Sequence, residues 1–175
     1  MRKRALLSVV GLVLALPGPG LQAHPIDAIA VGEHVGPIRL NESRLPRLKE
    51  WFGEPTSRKI IEIGCVRAVK MRWGVRLVAI APRYRGRTQR IAQVLVLRRT
   101  IHSSAHGDLT IHTGKGLRIG DSEDRLQELY PNVDGETHRG HTHYVLRANS
   151  LDGRLLARVE RGIVVNFLVT PYEFC

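Results

Sequence analysis

What most constrains the fold of this chain is a motif it uses twice: GPIRLNESRLPRLKEWFGEP at 36–55 and, in altered form, GLRIGDSEDRLQELYPN at 116–132. In each copy a short apolar-x-apolar stretch runs into Asn or Gly, then an acidic residue and a Ser, then a helical pattern closed by Gly or Pro. Internal repetition predicts two like supersecondary units placed together. The expectation is an α+β fold of two tandem modules, each a short helical segment packed on a three- to four-stranded antiparallel sheet. No catalytic motif competes with that reading, and none calls for a cofactor.

The intervening residues fill in the scheme. Ile38 and Leu40 suggest an extended entry, Asn41 or Ser43 can cap a helix, and Leu45, Leu48, Trp51 and Phe52 follow helical spacing until Gly53 and Pro55. Strands are expected at about 66–73, 75–81 and 91–98, the last pair joined by the loop from Pro82 to Arg90. In the second half Asp121 or Ser122 caps a helix carrying Leu126, Leu129 and Tyr130, and Pro131 stops it. Strands follow at about 142–148, 153–160 and 162–170, with Arg161-Gly162 marking a hairpin. The polar, His-rich stretch 102–113 reads as a linker between a module at 24–101 and another at 114–175.

The stretches Ile38-Arg39-Leu40-Asn41-Glu42-Ser43 and Leu117-Arg118-Ile119-Gly120-Asp121-Ser122, each leading into a short helix, resemble the repeat signature of the β-lactamase-inhibitory-protein-like (BLIP-like) fold. Small outer-membrane assembly lipoproteins share that signature. The resemblance spans about 36–73 and 116–170, and it implies two modules whose sheets form one surface able to grip another protein. The first copy departs from the pattern in one extra residue between Ser43 and Gly53, in Asn41 where Gly is usual, and in Pro46 within the first helical turn. In the inhibitors an acidic residue on a hairpin loop of the first module enters the target enzyme. The loop from Arg83 to Arg90 holds four Arg and neither Asp nor Glu, so no inhibitory residue carries over.

The N-terminus reads as a signal peptide over 1–23. Arg2, Lys3 and Arg4 form a basic start, Ala5 to Leu16 an apolar stretch, Pro17 to Gly20 an exit, and Ala23 a small residue before cleavage. The apolar stretch falls short of the roughly 20 residues of a spanning helix, so the expected product carries no integral membrane segment and is secreted or periplasmic. No Cys near the cleavage point offers a lipid anchor. Cys65 and Cys175, the chain's two cysteines, are expected to form a disulfide in that compartment. Two free thiols, or a bond to another chain, are the alternatives.

Cleavage takes the 27 basic residues to 24 against 16 acidic, a net charge of +8. Outside the cytoplasm such an excess points to an acidic protein face or an anionic surface polymer. Nucleic acid is not expected, because nine Phe, Trp and Tyr are few for base-stacking platforms among so many cations.

Three sets of side chains are candidates for function. Arg83, Arg85, Arg87 and Arg90, extended by Arg98 and Arg99, could clamp carboxylates or phosphates bidentately, or simply solvate a loop. Trp73 could lie in the core or on the binding surface. His138, His141 and His143 could offer imidazoles to zinc or copper, with Glu136, His102, His106 and His112 as further donors, or could belong to a polar loop. His24 would offer an amine and an imidazole together at the new terminus. The leading expectation is a non-catalytic binding protein acting through the sheet face and the Arg-rich loop, an inhibitor of a secreted enzyme being one version. A metal-handling protein is the alternative.

Overall fold

The computed structural model describes residues 28–30, 34–83, 90–149 and 153–170. The expected signal peptide, His24, Arg85, Arg87 and Cys175 lie outside the described residues.

Two motif copies set the frame. In the first, Asn41 N–H donates to the Ile91 carbonyl (2.7 Å) and Ile91 N–H to the Ser43 carbonyl (2.8 Å). In the second, Gly120 N–H donates to the Val164 carbonyl (2.8 Å) and Val164 N–H to the Asp121 carbonyl (2.9 Å). Each turn closes on itself through a side chain: Ser43 Oγ accepts from Arg39 N–H, and Asp121 Oδ2 accepts from Arg118 N–H. The left-handed backbone this requires falls on Asn41 (φ 59°) in one copy and on Gly120 (φ 95°) in the other. Asn is one of the few residues besides Gly that adopts it at modest cost.

Helix α1 (Leu45–Phe52) and helix α2 (Glu123–Leu129) leave these turns differently. α2 starts at Ser122, whose Oγ accepts from Arg125 N–H, and has Glu123 and Asp124 in its first turn. α1 starts at Arg44, not at the expected Asn41 or Ser43, with no side-chain cap bond and no acid in its first turn. The extra residue lies between Asn41 and Ser43, not after Ser43 as expected: Ser43 takes the place of Asp121, out of the capping position, and its hydroxyl accepts from Arg39 N–H. Gly53, at φ 77°, and Pro131 close the two helices, and other segments satisfy their last carbonyls: Ser104 Oγ donates to Glu50 and Trp51, and Lys115 Nζ to Leu129.

Four strands follow each helix: β4 (Ser57–Ile63), β5 (Val66–Trp73), β6 (Leu77–Pro82) and β7 (Gln93–Val96), then β11 (Gly135–His138), β12 (His141–Asn149), β13 (Gly153–Glu160) and β14 (Ile163–Thr170). They join, β7 against β14, into one antiparallel sheet of order β11-β12-β13-β14-β7-β6-β5-β4. The remaining strands are β1 (Ala28–Ala30), β2 (His34–Val35), β3 (Ile38–Arg39), β8 (Thr100–Ser103), β9 (Gly107–Thr110) and β10 (His112–Thr113). They form a four-stranded sheet, β10-β1-β2-β3, and the β8–β9 hairpin. The segment expected to link the modules therefore carries strands.

The α+β expectation is corrected: the described residues are mostly β, 56% strand against 12% helix, with two short helices and an eight-stranded sheet in place of separate helix-backed sheets. Helical spacing was real in both motifs, but each helix is closed within about two turns. The β-branched runs on either side are claimed by strand pairing.

Alternation assigns each strand residue to a face. One row crosses seven strands through Trp73, Leu77, Val96, Phe167, Ala157, Tyr144 and Gly135. This inner face meets Leu48 of α1 and Leu126 of α2 in the main core. The neighbouring row, Ser57, Arg72, Val78, Leu95, Leu168, Leu156 and Val145, belongs to the opposite, outer face.

Candidate functional site

The outer face carries a second apolar cluster, Ala68, Val78 and Ile80, packed by Ile61, Ile63, Leu95 and Leu97. These residues come from β4 to β7 and the end of β7, and neither helix contributes to the cluster. Beyond it the face continues through half-buried Leu168 and Leu156 to Val145, which is 43% exposed. Cations border it on one side: Lys59 pairs with Lys70 across β4 and β5, Lys70 with Ile80, and Arg72 with Val78. The result is an apolar strip with a basic margin, a composition suited to a protein surface that carries carboxylates. Sequence reading did not single out Lys59, Lys70, Leu95 or Leu156. Alternation from Val69 to Trp73 in β5 was the available signal, since it separates Lys70 and Arg72 from Met71 and Trp73.

Trp73 is corrected from a binding residue to a core residue. It is 4% exposed, its indole N–H donates to the Gly53 carbonyl (2.8 Å), and its ring meets Phe52 edge-on at 6.4 Å. A ring that fixes the end of α1 to the sheet is not available to a partner.

The two described arginines of the expected loop are both exposed but do different things. Arg83 lines a depression of about 380 Å³ with Arg58, Lys59, Ile60 and Val69; apart from Lys59 these lie on the inner-face side of the β4 edge, not on the outer face with Lys70 and Arg72. Arg90 turns its guanidinium back to the Asn41 carbonyl (3.0 Å), supporting the first motif turn. Arg85 and Arg87 remain a proposal.

His138 and His141 face each other across the Arg139–Gly140 turn, and the His141 and His143 rings stand 6.3 Å apart at 84°. His141 Nδ1 is 3.7 Å from Glu160, whose carboxylate already holds Arg158 at 2.6 Å. Among the described residues no group of three or more His, Cys, Asp or Glu could hold a metal ion. Glu136 stands opposite His143 across β11 and β12, while the remaining expected donors are dispersed: His102 pairs with Asp108, His106 packs on Trp51, and His112 contacts the Thr113 carbonyl.

Cys65 is exposed in the turn between β4 and β5, and its expected partner lies outside the described residues. Among the described residues no helix is long and apolar enough to cross a membrane.

Comparison with known proteins adds little to this geometry. No protein-family model and no curated protein matches the chain. Among solved structures, a Streptococcus mutans protein named "putative beta-lactamase inhibitor protein" is similar over 71% of this chain and 80% of its own, at 16% identity and a TM-score of 0.27. At that score neither its fold nor its role passes to this chain.

Proposed function

We propose that this is an exported, non-catalytic binding protein that grips an acidic region of an extracellular or envelope protein on the outer face of its sheet. One observation carries the reading: an apolar row continuous from β6 to β12, through Val78, Leu95, Leu168, Leu156 and Val145, flanked by Lys59, Lys70 and Arg72. Apolar area supplies affinity, and a basic margin supplies orientation and on-rate toward an acidic partner. Inhibition of a secreted enzyme is one form such binding could take, with the acidic element on the enzyme instead of the inhibitor.

The test is retention of host secreted and envelope proteins on the immobilised chain at low and then raised salt. A single protein that survives salt on the parent chain and is lost with Leu156→Glu supports the reading. Retention of anionic polymer alone, released by salt, or of the same protein by Leu156→Glu, overturns it.

A further inference from the structure

On the other side of the molecule a cleft of about 940 Å³ opens between the β2–β3 hairpin, the first motif turn, the start of α1 and the β8–β9 turn. Its volume is that of a small-molecule site. The walls sort into three chemistries. Arg39, Arg44 and Arg47 supply guanidinium groups, Pro37, Pro46 and Trp51 apolar surface, and Glu42 and Glu50 carboxylates.

The charges are not all spoken for. Arg47 pairs with Glu50 at 2.9 Å and lies over the Trp51 ring, 5.7 Å from its centroid, so both are held in place. His106 braces the same ring from the β8–β9 turn at 5.6 Å. Arg39 and Arg44 have no ion-pair partner among the described residues, and neither has Glu42. Ser43 Oγ accepts from Arg39 N–H, and that bond leaves its own O–H able to donate into the cleft.

The second motif copy supplies a contrast within the same chain. Where the first has Arg44, Leu45 and Pro46 entering its helix, the second has Ser122, Glu123 and Asp124. Arg39 and Arg47 have counterparts in Arg118 and Arg125, so what sets the first copy apart is Arg44 and the absence of the two acids, which would repel an anion at the corresponding place.

We infer that this cleft binds a small anionic sugar. Arg39 and Arg44 take its phosphate or carboxylate, Glu42 accepts from ring hydroxyls, and the sugar's apolar face lies toward Trp51 and the prolines. Two guanidinium groups with a lone carboxylate beside them match an anion joined to hydroxyl donors better than a bare anion, which Glu42 would oppose. This site is separate from the outer sheet face and does not depend on its role.

Titration calorimetry and Trp51 fluorescence of the purified protein, at constant ionic strength, test it with glucose 6-phosphate, glucuronate, glucose and inorganic phosphate. The expected result is saturable binding of glucose 6-phosphate or glucuronate, the stronger of the two naming the anion, with none for glucose. Arg39→Ala and Arg44→Ala should each weaken it by about tenfold, the worth of one charge-assisted contact. Arg125→Ala on α2 should leave it unchanged. No saturable response to either sugar acid, an equal response to inorganic phosphate, or a response indifferent to Arg39→Ala and Arg44→Ala in variants that keep the parent unfolding midpoint, would each overturn the inference.

Discussion

The Tyr144 hydroxyl donates a hydrogen bond to the Glu123 carboxylate, tying β12 of the sheet to the first turn of α2. Burial first, and the bond to Glu123 second, raise the Tyr144 pKa above its ordinary 10.0. The folded state therefore holds this proton more tightly than the unfolded state does. Its contribution is complete below pH 10 and is lost as pH rises toward the folded pKa. Tyr144→Phe is expected to cost about 1.5 kcal/mol at neutral pH, as a hydrogen bond to a charged group does. The gap between parent and variant should narrow above pH 10. Urea midpoints of both across that range check this, and parallel curves would refute it.

Asn41 sits where the second copy has Gly120, and both have positive φ. Asn41→Gly should leave stability within about 0.5 kcal/mol of the parent, because the backbone bonds to Ile91 do not use the side chain. Asn41→Val, which the left-handed region penalises, should cost about 1–2 kcal/mol. Equal midpoints for Gly and Val would mean that the first turn tolerates another conformation.

How much of this was legible beforehand depended on contrast between faces. β13 and β14 were read nearly to the residue because buried and half-buried positions alternate and Arg161-Gly162, both at positive φ, closes their hairpin. Arg139-Gly140 closes the β11–β12 hairpin with the same two signs of φ, yet β11 was missed. Its four residues, Gly135 to His138, are all exposed, so no alternation marks them. The start of α1 was misplaced because one inserted residue turned a capping Ser into a loop-closing one. Trp73 was left open because an aromatic on an amphipathic strand can face either way, and its register against Leu77 settles which. The arginine cleft was not legible at all, since Arg39, Arg47 and His106 come together only when three hairpin and helix segments meet.

Gly135 lies at the end of the inner-face row, opposite Tyr144. A Cβ there would stand 2.6 Å from Thr142 Cγ2 and 2.7 Å from the Tyr144 ring. Gly135→Ala should therefore push β11 off the sheet edge or displace Tyr144 from Glu123, at about 1–3 kcal/mol. Protection of β12 amides from hydrogen exchange reports which, and parent-like protection with an unchanged midpoint would show that the contact relaxes freely.

Cys65 lies exposed in the β4–β5 turn, and the disulfide to Cys175 is a proposal resting on the exported compartment. If it forms, intact mass should rise by two hydrogens on reduction and the urea midpoint should fall. The loss is up to about 4 kcal/mol from the loop it closes. Cys65→Ser should match the reduced parent and gain nothing further from reductant. Unchanged mass on reduction, or a covalent dimer without reductant, rejects the intramolecular bond.

Lys59 and Lys70 are direct cross-strand partners, both exposed and on the same face of β4 and β5. Like charges in that relation destabilise a sheet, and an opposite pair would contribute about 0.2–1 kcal/mol. Three positions along the ladder, on the other face of the hairpin, Glu62 stands opposite Arg67, so the hairpin accommodates the favourable arrangement elsewhere. Lys59→Glu is accordingly expected to raise the unfolding midpoint while weakening retention of an acidic partner and flattening its salt dependence. A stability gain accompanied by a binding loss separates what this margin does for the fold from what it does for recognition, because damage to the fold would lower both. Unchanged retention in a stabilised Lys59→Glu would remove the lysine pair from the proposed surface and leave the apolar row to act without it.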